Sequence, residues 1–309
     1  MEYVADASGL SRGQILIGFI NLNKQPGQTS REAVNAVQRL VRPAKIGHCG
    51  TLDPLATGVL VVCIGPATRL TNLVHEASKT YVGDFQLGVS SDTEDIEGQV
   101  VPLANAPKVT ATQIKAILPE FIGEIEQLPP KFSALKVNGK RAYDLARQGK
   151  DVKLKPRQIR IYSLQLTAFE YPKFQLKIEC GTGTYVRSLG RDIGARVGSA
   201  AIMTALQRTA IGDFLLDETI DVTDLDAQNI SQHLLPVDHG LRGLERVVLN
   251  DANARGLIDA QPVQLPAHAE FDRVLAANRR GQVLAVLLRR DKDIFTPKIN
   301  FSKYVDGGG

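Results

Sequence analysis

Apolar residues alternate with polar ones in some stretches of this chain and recur at helical spacing in others, and the two periods divide it into elements. Gln14 to Ile20 reads as a strand, followed by a turn at Pro26-Gly27. Thr29 and Glu32 have the spacing of a capping box. Behind them Ala33, Val34, Val37, Leu40 and Val41 form one apolar helical face that Pro43 stops. Val59 to Ile64 is a continuous apolar, largely β-branched run, which predicts a buried strand. Pro66 suits the first turn of a helix whose inner face is Leu70, Leu73 and Val74. Tyr81, Gly83, Phe85, Leu87 and Val89 alternate as in a half-buried strand. Thr110 with Gln113 caps a further helix carrying Ile114, Ile117, Leu118 and Phe121, and Asn138-Gly139 marks a tight turn. Ile159 with Ile161, and Phe174, Leu176, Ile178 and Cys180, give two more alternating strands, and Tyr185 to Val197 reads as a helix ending at Gly198.

Strands and helices interleave without a βαβ rhythm, so the expected class is α+β, with a mixed or antiparallel central sheet flanked by helices. After about Leu244 the texture changes: Ala254, Leu257 and Ile258 suggest a short helix, and Val283 to Leu288 a strand. Residues 1–245 are therefore expected to form the main domain and 246–309 a small separate module. The tail Val305-Asp306-Gly-Gly-Gly is expected to be disordered.

Composition adds little until charge is mapped. The chain has 309 residues, 43% of them hydrophobic and 23% charged, as in ordinary globular proteins. Its apolar runs are too short to span a bilayer, and Met1 to Gly13 has no apolar core of signal-peptide type, so the expected location is the cytoplasm. Cys49, Cys63 and Cys180 include no CxxC pair, so buried reduced thiols are expected rather than a zinc site or a disulfide framework. The net charge is only +4, but between Lys131 and Arg160 ten cations face two acids, so this stretch carries +8 and the remainder −4. That concentration favours a polyanionic partner, although a run of cations also arises as a solvated face.

The richest stretch chemically is Ile46-Gly-His-Cys-Gly-Thr-Leu-Asp-Pro-Leu-Ala-Thr-Gly-Val-Leu60, which places glycines, His48 and Asp53 in a polar loop directly before the buried run. Glycine lets backbone approach a ligand closely, and a strand edge gives a reactive side chain a rigid base. Taken alone, Asp53-Pro54 is an ordinary cap or turn, and a lone His48 is an ordinary hydrogen-bonded residue.

The segment as a whole resembles the GHxGTLDPxAxGVL signature of TruB-type pseudouridine synthases, and the resemblance continues in register. Ser78-Lys-Thr-Tyr-Val82 is similar to the family's second motif, and Leu87-Gly-Val-Ser-Ser-Asp-Thr-Glu-Asp95 follows it. Pro129 to Tyr143 resembles its central basic segment, Gly183-Thr-Tyr-Val-Arg-Ser-Leu189 its GTYIRSL element, and Leu206 to Gly212 its LxRxxxG stretch. Together these span roughly residues 14–214. Phe132 stands where the family pattern has Tyr, and Gly181-Thr182 where it has a more polar pair.

The resemblance implies a pseudouridine synthase fold with a small C-terminal PUA-like module. It also implies isomerisation of a T-loop uridine of tRNA (uridine-55) to pseudouridine. The N1 glycosidic bond breaks and ribose C1′ rejoins C5 of the same base, so no electrons are exchanged and no cofactor or metal is needed. Asp53 would be the nucleophile, with Arg187 keeping it charged and aimed. The target base must first leave its stack. Tyr81 would stack on the flipped uracil, a contact worth ~1–3 kcal/mol in single-strand binding proteins. Tyr185 and Leu206 would line the pocket, and His48 would hold the loop open around the base. Without the resemblance Tyr81, Tyr185 and Leu206 would read as core residues. From the basic stretch, Lys136, Lys140, Arg141 and Arg147 are the expected RNA-backbone contacts. The expected partner is the T stem-loop of tRNA, bound by a monomer with no protein partner and no membrane contact.

Two other readings compete. A non-catalytic RNA-binding or RNA-folding protein would use the same cleft but would not require Asp53. A phosphate-handling or metal-dependent hydrolase would need a P-loop ending, a GxGxxG element or an HExxH pair, and the sequence has none of these.

Overall fold

The computed structural model describes residues 15–133, 135–137, 139–142, 145, 148 and 154–305, with the backbone alone at 136, 137, 140 and 141. The strands of the main body are β1 (Gly18–Lys24), β2 (Ile46–His48), β3 (Thr57–Ile64), β4 (Lys79–Leu87), β5 (Val89–Ser90), β6 (Val101–Pro102), β7 (Gly123–Gln127), β8 (Lys136–Val137), β9 (Lys140–Arg141), β10 (Arg157–Glu170), β11 (Lys173–Cys180), β12 (Ala201–Ile211) and β13 (Phe214–Leu215). Its helices are α1 (Ser30–Leu40), α2 (Thr71–Glu76), α3 (Ala111–Ile117) and α4 (Val186–Arg196).

The central sheet runs β1-β3-β12-β4-β11-β10-β7, with β2 added to β3 and β13 to β12. Every pairing is antiparallel except β3 with β12. The sheet is therefore mixed, as expected. β3 is apolar on both faces because both are covered. Leu60, Val62 and Ile64 pack against Ala33, Val34 and Val37 of α1, while Val59, Val61 and Cys63 face Leu70 and Val74. A third cluster joins Phe85, Leu176 and Ile178 of the sheet to Leu189 and Ile193 of α4. Gly190 permits that contact, since a Cβ there would lie 2.4 Å from the Phe85 ring.

The capping boxes at Thr29/Glu32 and Thr110/Gln113 are both formed. Gly198, at φ 72°, follows the end of α4. All three cysteines are buried and free. Three sequence expectations shift. The first strand is Gly18–Lys24 rather than 14–20, because polar Asn21 and Lys24 are also buried and hide the strand's true extent. Leu118 to Phe121 leaves the helical spiral for a 3-10 turn led by Pro119. The presumed polar loop begins as strand β2, paired through Gly47 with Cys63.

From Glu245 onward the chain forms β14 (Glu245–Val248), α5 (Asp251–Gly256), β15 (Val263–Gln264), β16 (Arg273–Ala277), β17 (Val283–Asp291), β18 (Ile294–Asn300) and α6 (Ser302–Val305). Its five strands run β14-β16-β17-β18-β15 around a core containing Val247, Leu257, Val274 and Phe295. The other face of this sheet is not free. Leu275, Val283, Val286, Ile299 and Phe301 share a cluster with Phe19, Leu70 and Val74, so the module is packed onto the main body. In the tail expected to be disordered, Val305 ends α6, and 306–309 lie outside the described residues.

Candidate active site

Residues Cys49 to Ala56, between β2 and β3, carry Asp53 and are held by three buried polar side chains. Ser30, at the start of α1, accepts from Leu52 N (2.8 Å) and donates to Leu52 O (3.1 Å). Lys24, 1% exposed, donates to Pro54 O (3.1 Å) and Ala56 O (2.6 Å) from the end of β1. Arg208, on β12, donates to Gly50 O (3.1 Å) and Val59 O (2.8 Å). The loop thus lacks regular structure but not rigidity, which a reactive carboxylate requires. Burial pulls the Lys24 amine down to about 8, against the attraction of Asp53.

Arg187, in the first turn of α4, meets Asp53 with two nitrogens: Nε lies 3.0 Å from Oδ2 and NH2 3.3 Å from Oδ1. The guanidinium also donates to Thr93 O (2.9 Å) and Phe132 O (3.1 Å), and its NH1 lies 3.6 Å from Asp95 Oδ2. Asp95 is itself fixed by Thr93 Oγ1 at 2.6 Å and Glu97 N at 3.1 Å. The Asp53 side chain remains 37% exposed while that of Arg187 is 7% exposed, so the carboxylate faces the opening and the guanidinium backs it. Planar two-point pairing of this kind fixes orientation as well as charge.

Tyr81 of β4 and Leu206 of β12 border the same apolar cluster, Tyr81 half-buried and Leu206 nearly covered. Burial raises the Tyr81 phenol above its ordinary value, opposed by the nearby Arg208 charge. Tyr185 stands just before α4 and is anchored by Gln127, which accepts from Tyr185 N (2.9 Å) and donates to Tyr185 O (3.1 Å). Burial raises its phenol too. Leu52 and Leu55, close to Asp53 on either side of it in the loop, lie in the same apolar cluster as Tyr81 and Leu206.

His48 ends β2 at the start of the loop. Its imidazole is lowered by burial and by the Arg31 and Arg208 charges, which keeps it neutral near pH 7. Its Nδ1 has no partner among the described residues. Of the expected RNA-backbone contacts, Lys136, Lys140 and Arg141 lie in the β8–β9 hairpin, of which only the backbone is described, and Arg147 lies outside the described residues. No group of three or more metal-ligating side chains is found among the described residues.

Sequence reasoning missed Lys24, Ser30, Asp95 and Arg208. Asp95 and Arg208 fall inside recognisable motifs, but nothing in their spacing says that one backs Arg187 and the other reaches the loop. Nor does spacing show that Lys24 and Ser30 fold back onto a loop some twenty to thirty residues further on.

Comparisons with known proteins identify the family. The TruB family pseudouridylate synthase N-terminal domain matches residues 38–186. The chain is 36% identical to the tRNA pseudouridine synthase B of Dehalococcoides mccartyi over 274 residues, 87% of this chain and 91% of that protein. It is 41% identical to that of Rhodopirellula baltica over 259 residues, 79% of this chain and 74% of the other. Among solved structures, a chain of a Cbf5-Nop10-Gar1 complex matches 89% of this chain and 79% of its own length with a TM-score of 0.71 at 25% identity. With identity sustained over nearly its whole length, the chain belongs to the TruB family of pseudouridylate synthases.

Proposed function

We propose that this chain is a tRNA pseudouridine synthase that isomerises uridine-55 in the T-loop, with Asp53 as nucleophile acting on a flipped-out base. The observation that carries this reading is the two-point Arg187–Asp53 pair, whose carboxylate stays partly exposed on a loop packed against the cluster that Tyr81 and Leu206 border. A protein that only bound or folded RNA would gain nothing from a fixed, backed carboxylate facing the opening.

In this reading the uracil leaves the RNA stack and lies against the Tyr81 ring, with Leu206 and Tyr185 closing the pocket. Asp53 attacks the nucleoside while Arg187 holds its carboxylate plane. The N1–C1′ bond breaks, the base turns, C1′ joins C5, the bond to Asp53 is released, and the C5 proton leaves as N1 gains one, so the sum is an isomerisation. The raised Tyr81 phenol keeps its proton at neutral pH and remains able to exchange hydrogen bonds with the turning base. His48, neutral at the loop's edge, serves as an RNA contact rather than a proton shuttle. Residues 1–245 would carry the reaction and 246–309 would add RNA contacts, in a monomer.

The test is incubation of the purified protein with an unmodified tRNA transcript, followed by mapping of pseudouridine by chemical labelling. A single new pseudouridine in the T-loop is expected. RNA binding without modification would favour the non-catalytic reading.

A further inference from the structure

Among the described residues Arg208 is the largest fully buried side chain, at 1% exposure. Burying a guanidinium is costly unless an acid or a full set of acceptors receives it. Among the described residues no carboxylate lies within salt-bridge distance of it, and both of its hydrogen bonds go to main-chain carbonyls. A strand staple would not require a charge, because an apolar side chain could fill the same volume at lower cost.

The position of those carbonyls is informative. Gly50 precedes Asp53 in the loop and Val59 follows it on β3, so one planar group ties together both ends of the segment that carries the carboxylate. The register extends the link. Arg208 is opposite Gly58 on one neighbouring strand and opposite Tyr81 on the other. The approach to Gly58 is so close that a Cβ there would lie 2.3 Å from Arg208 O, and its φ of 94° is one that glycine alone adopts readily. That register sets Arg208 directly across from Tyr81, and its charge opposes the upward effect of burial on the Tyr81 phenol. Lys24 grips the loop from the other side, at Pro54 and Ala56, but reaches no part of β4 through its hydrogen bonds.

We infer that Arg208 is a positioning residue for the isomerisation, a single side chain that sets the Asp53 loop and the Tyr81 ring relative to one another. It does not touch the base. It acts by fixing the distance between the attacking carboxylate and the ring against which the uracil lies, an arrangement in which errors of about an ångström cost ~100-fold in rate. The inference rests on the proposed isomerase reading.

Arg208→Lys keeps the charge but replaces a planar fork by a point donor that cannot span Gly50 O and Val59 O as Nε and NH2 do. Its single-turnover rate on tRNA should fall at least tenfold while the tRNA dissociation constant stays within threefold. In Arg208→Lys/Tyr81→Phe the two rate losses should combine to less than their product, since the residues act as one unit. Arg208→Ala should recover part of its rate when guanidinium is supplied at millimolar concentration. A rate within threefold of wild type in Arg208→Lys, losses that multiply in the double variant, or a defect confined to binding would each overturn the inference. So would variants that are unfolded by circular dichroism, because Arg208 would then be a folding residue. Wild-type protein assayed alongside separates the two readings. If it makes no pseudouridine the isomerase assignment fails, whereas an active wild type with an equally active Arg208→Lys removes only the role of Arg208.

Discussion

Ser30 lies on the first helix, far in sequence from the residues that do chemistry, yet its removal should slow the reaction. Its hydroxyl is the only side-chain partner of the Leu52 main chain among the described residues, accepting from the N–H at 2.8 Å and donating to the carbonyl at 3.1 Å. Ser30 is 2% and Leu52 3% exposed, so water does not readily replace either bond. In Ser30→Ala a buried N–H is left unsatisfied, which costs about 1–3 kcal/mol. At about 2–4 °C per kcal/mol for a chain of roughly this size, the melting temperature should drop by about 2–12 °C. Asp53 follows Leu52 directly, so relaxation of that peptide shifts the carboxylate against Arg187. A displacement of half an ångström to an ångström corresponds to a rate loss on the order of 10- to 100-fold. Single-turnover conversion of excess-bound tRNA at 25 °C, with the dissociation constant measured by filter binding, separates the effects. The rate should fall at least tenfold and binding by less than threefold. An unchanged rate despite the lowered melting temperature would show that the loop holds Asp53 without Ser30, and the clamp argument would be wrong.

Tyr81→Phe keeps the stacking face, so its tRNA affinity should be normal and any rate loss reports on the hydroxyl alone. Tyr81→Leu should lose both, and a Leu variant with wild-type single-turnover kinetics would remove Tyr81 from the site. Lys24 has a native value of about 8 against an ordinary 10.5, so between these values the unfolded chain holds more protons than the folded one. Stability from this group therefore rises with pH over that window, and wild type should gain up to about 3 kcal/mol on Lys24→Met between pH 8 and 10.5 in urea titrations. A difference independent of pH would show that Lys24 is not desolvated. Neutralising Lys140, Arg141 and Arg147 together should weaken tRNA binding and reduce the log–log salt slope by roughly 0.7 to 0.9 per lost phosphate contact, without changing the modified position. An unchanged slope would place the RNA elsewhere on the surface.

What could be read from the sequence depended on how regular each element is. Both capping boxes, the doubly buried β3 and the α4 helix ending near Gly198 follow from spacing alone, because each rests on contacts a few residues apart. β12 was invisible for the opposite reason. This central strand is interrupted by register shifts between Met203 and Ala205 and between Arg208 and Ala210, which break the period of two by which strands are recognised. Buried Arg208, in a stretch where Ala205 and Gln207 are exposed, further disguises it. The site divides in the same way. Asp53, Tyr81 and Arg187 are carried by motifs, and of these the structure pairs Asp53 directly with Arg187. Their supports depend on long-range contacts, hydrogen bonds to main-chain atoms for Ser30, Lys24 and Arg208 and the ion pair with Arg187 for Asp95, and no local pattern encodes those. The contact of 246–309 with the main body was not legible either, because one face of its sheet is apolar toward Phe19 and α2, a complementarity between distant segments.

The central claim is that Asp53 performs the chemistry and the rest of the cleft presents the base to it. Asp53→Asn tests this most directly, since it keeps the side chain's shape while removing its charge and its nucleophilic oxygen pair. Wild type and variant are compared on the same unmodified tRNA transcript, with pseudouridine quantified at the T-loop under single-turnover conditions and affinity measured in parallel. The account predicts no detectable pseudouridine from the variant and a dissociation constant within about threefold of wild type, equivalent to less than ~0.7 kcal/mol. Retention of a tenth or more of the wild-type rate would mean that another group attacks the nucleoside and that the Arg187–Asp53 pair is structural.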